Sequence, residues 1–209
     1  MLAQELSAVE ASYLASACLE ASRRANAVPA RVLTEVALRF DLDAAPVSLR
    51  AVRKALEDGV VRSLHAVRVV VDRNAVLYLA STKSLEIGSL SQEAKIRIYD
   101  VIRAGDEKVM LAPLVTLDLG PLLRVGRQLV DSYADALDRH VVVDPEIMGG
   151  LPVVRNSRIP VYTVLGRIEE GESIDNIACD FDHVPREALE AALAYARTHP
   201  RRGRPIQFR

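Results

Sequence analysis

The chain has 209 residues, of which 50% are hydrophobic and only 4% aromatic, and it contains no tryptophan. Leucine, valine, isoleucine and alanine must therefore build the core, a composition that favours small helical units over a large sheet sandwich. The formal net charge of -1 excludes a protein that coats nucleic acid through bulk charge alone, although a compact DNA-binding module needs only a local basic face.

The cysteines and the apolar segments indicate the compartment. Cys18 and Cys179 lie far apart and belong to no CxxC or metal-ligand spacing, which predicts a reducing, cytoplasmic environment. The chain does not open with basic residues followed by an apolar segment, so we expect no secretion signal. No apolar run approaches the ~20 residues that span a bilayer, and we expect no membrane partner.

The first helices of the chain are predicted from their caps. Ser7 and Glu10 have the spacing of a capping box and predict a helix that ends near Arg24. A second helical stretch is predicted over residues 31–40. Ser48 then predicts the start of a third, short helix.

The short helix carries a candidate DNA-binding surface. Gly59 is predicted to end it, and the valine runs at 60–61 and 67–71 predict a small hairpin behind it. A short helix with a basic face, followed by a β-ribbon, has the layout of a recognition helix and its wing, so residues 1–105 are predicted to form a winged helix-turn-helix-like domain. The alternative is an ordinary surface helix. The basic residues expected to contact DNA are Arg50, Arg53, Lys54, Arg62 and Arg68.

Two further helices are predicted to complete this domain. Asp72 or Asn74 is expected to cap the first of them. Ser89 with Gln92 predicts a capping box for the second, which Gly105 ends as a left-handed cap. The glycine therefore marks the predicted end of the domain.

Residues 106–138 are predicted to form strands and a connecting helix. The segment 108–119 is rich in valine and leucine without helical periodicity, which indicates one or two strands broken at Pro113. A helix follows from Gly120, with Gly126 as a close-packing position. Its apolar side is the predicted seam of a homodimer, because a helix-turn-helix that reads a palindromic site needs two-fold symmetry. That side carries Leu122, Leu129, Tyr133 and Leu137.

The C-terminal part is predicted to form a small three-helix, helix-turn-helix-like domain over residues 139–199. Its helices are expected after Pro160, after Ser173 and from Pro185. Residues 200–209 contain four arginines and no acid and are predicted to be an exposed basic tail. The whole chain is therefore predicted to be mainly α with small β-hairpins, an α+β fold.

No catalytic or metal-binding pattern stands out in the sequence. Gly149-Gly150 lacks the GK[ST] of a phosphate loop, and Asp144 with Glu146 has no partner motif for acid–base catalysis. Helical spacing directs the potential metal ligands near residue 180 to different sides. We therefore expect no enzyme activity, no metal and no cofactor. These ligands are Cys179, Asp180, Asp182 and His183.

The C-terminal domain carries the motif of a known family. The segment DPEIMGGLPVVRNSRIPV, residues 144–161, is followed in step by Gly171, Ser173, Ile177, Ala178, Asp180 and Phe181. Over residues 141–196 the chain resembles the bacterial and archaeal domain of unknown function 433 family. Two positions depart from the family pattern: Asn156-Ser157 replaces Gly-Thr, and Leu151 replaces Lys. Because asparagine tolerates a left-handed backbone, we expect the turn to persist.

The resemblance implies a function. Family members with an N-terminal helix-turn-helix resemble VapB-type antitoxins, and residues 6–14 and 47–61 are similar to the helices of such a domain. The resemblance implies a protein that neutralises a PIN-domain-like ribonuclease toxin and represses its own operon by binding operator DNA. Antitoxins of this class commonly place a basic side chain among the acidic metal ligands of the ribonuclease. Candidates for that contact are Arg155, Arg158, Arg201, Arg202 and Arg204.

Two alternatives stay open. One is a stand-alone transcriptional regulator that uses the same folds without a toxin. The other is an enzyme, or an enzyme subunit, whose site a single sequence does not reveal. The reading frame next to the gene discriminates the antitoxin from the stand-alone regulator, because an antitoxin is expected beside a small ribonuclease with an acidic cluster.

Overall fold

A computed structural model describes residues 5–24, 47–64, 70–84 and 90–201. The chain folds into two compact units, which divide after Asp138. The described part is mostly helical, and its strands form small antiparallel pairs, which confirms the predicted α+β class. Within these ranges no helix is both long and apolar enough to cross a membrane.

The elements of the first unit follow one another from β1 to α5. β1 pairs with β2, and β3 pairs with β4, in both cases antiparallel. α1 packs against α2 and α3, and α4 packs against α3 and β3. The bounds are β1 (Leu6–Ser7), α1 (Ala8–Arg24), α2 (Leu49–Glu57), β2 (Val70–Val71), α3 (Arg73–Ser84), α4 (Gln92–Ala104), β3 (Lys108–Ala112), β4 (Val115–Asp118) and α5 (Gly120–His140).

The second unit is built around its last helix. α8 packs against α6, α7 and the antiparallel pair β5–β6, and its alanines and leucines are buried. The three helices predicted for this part of the chain are confirmed. The bounds are β5 (Val141–Val142), a 3-10 turn (Met148–Gly150), β6 (Val153–Val154), α6 (Val161–Glu169), α7 (Ile174–Asp180) and α8 (Arg186–Thr198).

The N-terminus of α1 is closed by the predicted capping box. The Ser7 N–H donates to Glu10 Oε2 at 2.9 Å, and the Glu10 N–H donates to Ser7 Oγ at 3.2 Å. Each bond satisfies a backbone donor that lacks a partner within the helix. Further along α1, Ser12 Oγ donates to the Val47 carbonyl at 2.6 Å, and the Val47 N–H donates to Ser16 Oγ at 3.1 Å. α1 therefore also fixes the segment that leads into α2.

The predicted wing hairpin is not formed by the described residues, and residues 67–69 of its second run lie outside them. The valines at 60–61 form no strand; they are buried, and both of their N–H groups donate to the Ala55 carbonyl at 3.1 Å. Val70–Val71 pairs instead with Leu6–Ser7 as β2. Val60 and Val61 are buried beneath the C-terminal end of α2. This tertiary packing overrides the strand propensity of β-branched residues.

Three further caps can be compared with their predictions. Ser48 precedes α2 as expected, but its side chain makes no capping hydrogen bond. Of the two candidates before α3, Asp72 is the cap, since its Oδ1 accepts from the Ala75 N–H at 2.9 Å. Ser89 lies outside the described residues, and the predicted Ser89–Gln92 box is wrong because Ser91 caps α4, whose first residue is Gln92. Gly105 ends α4 with a φ of 89°, as predicted.

The strand region and the helix after it form as predicted, but the apolar side of the helix is not exposed. β3 and β4 form a hairpin around Pro113, with Val109 opposite Leu117. Leu129 and Tyr133 on α5 are buried within the first unit, and the Tyr133 hydroxyl donates to Glu10 Oε1 at 3.2 Å. The face predicted as a dimer seam is therefore covered by the chain itself.

Candidate DNA- and protein-binding surfaces

α2 presents two arginines to solvent. Val52 and Ala55 are buried on one side of the helix, whereas Arg50 and Arg53 are exposed on the other. Neither arginine forms an ion pair with another described residue. Arg62, just beyond the helix, is exposed as well, and Arg68 lies outside the described residues. The local sequence explains this arrangement, because apolar and basic residues alternate at helical spacing.

Lys54 differs from its basic neighbours because a carboxylate neutralises it. Its Nζ lies 2.7 Å from Asp58 Oδ1, and Lys95 Nζ lies 3.3 Å from Asp58 Oδ2. The hydrogen bond from Lys54 lowers the pKa of Asp58, and the same bond raises the pKa of Lys54. Sequence reasoning grouped Lys54 with the arginines and missed Asp58, although the i, i+4 spacing of an acid and a base was a visible signal.

In the second unit, Arg155 binds the backbone. Its Nε donates to the Arg139 carbonyl at 3.0 Å, and its Nη2 donates to the Val141 carbonyl at 3.2 Å. These bonds tie the turn after β6 to the chain entering β5. Both arginines are exposed, but Arg158 forms no ion pair with another described residue. The two arginines that sequence reasoning treated as a pair therefore have different surroundings.

The start of the basic tail packs on an aromatic ring. The Arg201 guanidinium carbon lies 4.4 Å from the centroid of the Tyr162 ring, a cation–π contact. The Tyr162 hydroxyl donates to the His199 carbonyl at 2.7 Å, which joins the N-terminal end of α6 to the C-terminal end of α8. Arg158 lies three residues before the first residue of α6, so the turn and the tail lead to the same end of this helix. Arg202 and Arg204 lie outside the described residues.

An arginine that sequence reasoning missed links α6 to α7. Arg167 donates to Glu172 Oε1 at 2.9 Å, forms a second ion pair with Asp180, and lies 5.7 Å from the centre of the Phe181 ring. Asp180 and Phe181 belong to the motif found in the sequence. A carboxylate next to an aromatic ring favours a cationic partner, and this was the signal in the sequence that could have identified Arg167. In the described part of the chain, no three His, Cys, Asp or Glu side chains are placed to hold a metal ion.

The basic residue at the start of α8 is also occupied. Arg186 lies 2.8 Å from Asp175 and 2.8 Å from Glu190. The remaining surface of the helix near this end carries Glu187, which is exposed. The start of α8 therefore offers no unpaired arginine to a phosphate, unlike α2.

Comparison with known proteins shows what parts of the chain are similar to. The chain is similar to "Uncharacterized protein y4eO" of Sinorhizobium fredii (strain NBRC 101917 / NGR234), with 36% identity over 95 residues, and the aligned part covers 45% of this chain and 42% of the relative. No solved structure matches the chain. Residues 141–196, which form most of the second unit, match the family model described as "Protein of unknown function (DUF433)", and the resemblance seen in the motif is confirmed for this part of the chain.

Proposed function

We propose that this protein is the antitoxin of a type II toxin–antitoxin pair, which neutralises a PIN-domain-like ribonuclease and represses its own operon by binding operator DNA. The proposal combines what the family resemblance implies with one structural observation. That observation is the exposed pair Arg50 and Arg53 on α2, a short helix whose opposite side is buried. Such a local basic face can bind phosphates although the chain carries a net charge of -1.

The DNA contact is assigned to Arg50 and Arg53, with Arg62 beyond the helix end. A guanidinium can donate two hydrogen bonds to one phosphate, and these two guanidiniums have no carboxylate partner among the described residues. Lys54 is engaged by Asp58 at 2.7 Å and is a weaker candidate for a phosphate contact.

The toxin contact is assigned to the second unit. Arg158 is exposed, and Arg201 is held against Tyr162 near the same end of α6. An acidic metal site, such as that of a PIN-type ribonuclease, is complementary to these cations, and steering by opposite charges would speed their encounter. Arg155 is excluded from this set because carbonyl groups of its own unit already accept its N–H groups.

The proposal is tested with the product of the adjacent reading frame. The two proteins are co-expressed, and the cleavage of an RNA substrate is measured with the partner alone and with increasing amounts of the full chain. Stoichiometric inhibition is expected. Binding of the chain to the DNA upstream of its gene, without any effect on a ribonuclease, would instead support the stand-alone regulator.

A further inference from the structure

The C-terminal end of α2 is tied to the first turn of α4. Gln92 Nε2 donates to the Asp58 carbonyl at 2.7 Å, and Lys95 Nζ donates to Asp58 Oδ2 at 3.3 Å. Lys54 Nζ reaches the other carboxylate oxygen, Oδ1, at 2.7 Å. Asp58 therefore accepts donors from two different helices, through its carbonyl and through both carboxylate oxygens.

The burial of these groups distinguishes this contact from an ordinary surface ion pair. The Asp58 side chain is 20% exposed and that of Lys95 is 32% exposed, whereas that of Lys54 is 64% exposed. The Asp58–Lys95 pair is thus the more shielded of the two. The bond from Gln92 also satisfies a carbonyl at the helix end, where the backbone lacks partners within the helix.

α2 depends on such contacts for its orientation. The helix has 9 residues and is too short to be stable by itself. Two sets of contacts hold its far end: the Asp58 contacts with α4, and the N–H groups of residues 60–61, which turn back to the Ala55 carbonyl. Arg50 and Arg53 are exposed on the same helix. The contacts that fix the C-terminal end of α2 therefore also determine the direction in which these two side chains point.

We propose that Asp58, Lys95 and Gln92 form an anchor that positions α2 for DNA, and that Lys54 belongs to this anchor rather than to the phosphate contacts. The inference rests on the proposed DNA binding by Arg50 and Arg53. Lys95 and Gln92 are positioning residues, because they act on DNA only through the direction of α2. The anchor also gives the Asp58 carboxylate a role beside a basic face that is proposed to bind phosphates.

The direction in which one substitution changes DNA affinity distinguishes the anchor from a purely electrostatic effect of Asp58. Asp58→Asn removes a negative charge beside the DNA surface, so electrostatics alone predicts tighter binding. The anchor predicts the opposite, a loss of affinity of roughly fivefold, because the pair with Lys95 no longer fixes the helix. Lys95→Met should weaken binding similarly, and Lys95→Arg should restore most of it.

The salt dependence of binding identifies which residues contact phosphates. The full chain is titrated by fluorescence anisotropy against a labelled duplex of the DNA upstream of its gene, at several KCl concentrations. Arg53→Ala should reduce the slope of log affinity against log salt by about one. Lys54→Ala and Lys95→Met should leave the slope unchanged. Arg103→Ala, at an exposed position on α4, is the charge-matched control and should change neither affinity nor slope.

The possible outcomes separate this inference from the function on which it rests. Circular dichroism first establishes that each variant is folded, and the Lys95 variants carry the test if Asp58→Asn loses helix. Tighter DNA binding by Asp58→Asn would contradict the anchor, and so would a slope of log affinity against log salt that is reduced by one in Lys54→Ala. Neither result would contradict DNA binding by Arg50 and Arg53. Unchanged affinity and slope in both Arg50→Ala and Arg53→Ala would show that the DNA surface is elsewhere. That result would contradict both the proposed DNA contact and the role of the anchor in positioning α2 for DNA.

Discussion

Asn156 adopts a left-handed backbone, with a φ of 59°, in the turn between β6 and α6. The turn is closed by the Ser157 hydroxyl, which donates to the Val154 carbonyl at 2.8 Å, while the Ile159 N–H donates to Ser157 Oγ at 3.1 Å. Glycine adopts this conformation at no steric cost, and asparagine does so more easily than other residues with a Cβ. The replacement of the family's glycine by asparagine is therefore compatible with an intact turn.

The first prediction concerns this backbone conformation. Asn156→Ala should lower the free energy of unfolding by about 1 kcal/mol, because alanine lacks the local polar interactions that support a positive φ. Asn156→Gly, the matched control, should cost much less. Urea unfolding followed by circular dichroism measures both. Equal losses in the two variants would mean that the side chain of Asn156, and not its backbone, determines the stability of the turn.

A second residue, Cys18, links stability to pH. Burial raises the pKa of its thiol to about 12, and Sγ donates to the Gly126 carbonyl at 3.7 Å. In the unfolded chain the thiol ionises near pH 8.5, roughly its ordinary value. The raised folded pKa stabilises the protein fully below the unfolded pKa, and this contribution is lost as the pH rises toward the folded pKa.

We therefore expect the free energy of unfolding to fall between about pH 8.5 and pH 10, with a steeper slope in the natural protein than in Cys18→Ala. The comparison uses the slope against pH, so a constant loss of packing in the variant does not affect it. Chemical unfolding at several pH values provides the measurement. The same slope in both proteins would contradict the shielding of Cys18 from ionisation.

At the scale of elements, α5 approaches α1 and α3 through a position without a side chain. A Cβ built on Gly126 would lie 2.6 Å from Leu77 Cδ2 and 3.5 Å from Cys18 Sγ. Leu77 is itself buried, so it has little room to move. The close approach brings the Tyr133 hydroxyl within 3.2 Å of Glu10 Oε1, and this bond links α5 to the capping box of α1.

Substitution of two helical glycines should have opposite effects. Gly126→Ala should lower the free energy of unfolding, because overpacking costs about 1–3 kcal/mol and the higher helix propensity returns only about 1 kcal/mol. Gly166→Ala on α6 has nothing within 4 Å of the added Cβ and should raise stability by up to about 1 kcal/mol. Calorimetric melting of both variants provides the measurement. A stabilised Gly126→Ala would refute the close contact.

At the scale of the whole molecule, the predicted homodimer remains a prediction, but its seam requires another surface. Leu129 is 1% exposed within the first unit, so it is not accessible to a second chain. We expect a dimer in sedimentation equilibrium at micromolar concentration. Leu129→Ala should lower the melting temperature without changing the dimer dissociation constant. Loss of the dimer in a folded Leu129→Ala protein would instead place the seam on this face of α5.

The basic tail is also tested on the whole molecule. Deletion of residues 200–209 should weaken inhibition of the partner ribonuclease, because it removes Arg201 from its place over Tyr162 along with the other tail arginines. Ribonuclease activity at increasing amounts of truncated and full chain provides the measurement, with Arg103→Ala as a control outside the second unit. Full inhibition by the truncated chain would leave Arg158 as the candidate contact.

The sequence by itself determined the features that depend on neighbouring residues. The capping box of Ser7 and Glu10, the left-handed end of α4 at Gly105 and the starts of α6, α7 and α8 could all be predicted, because caps and apolar periodicity act within a few residues. The family motif was equally readable, because its residues are almost contiguous. Among the candidate site residues, the exposure of Arg50 and Arg53 on α2 could be predicted from the same helical spacing of apolar residues.

Only the tertiary structure decided the contacts between distant segments. Val71 pairs with Leu6, and Arg201 lies over Tyr162, although nothing in the local sequence favours these partners. The prediction of a strand at Val60 and Val61 was wrong for the same reason, since valine is favoured in strands but is also commonly buried in other segments. Which of the two forms depends on the apolar surface that the rest of the chain presents. Likewise, Arg155 and Arg158 have the same charge and are both exposed, and only the carbonyl groups that accept from Arg155 distinguish it from Arg158.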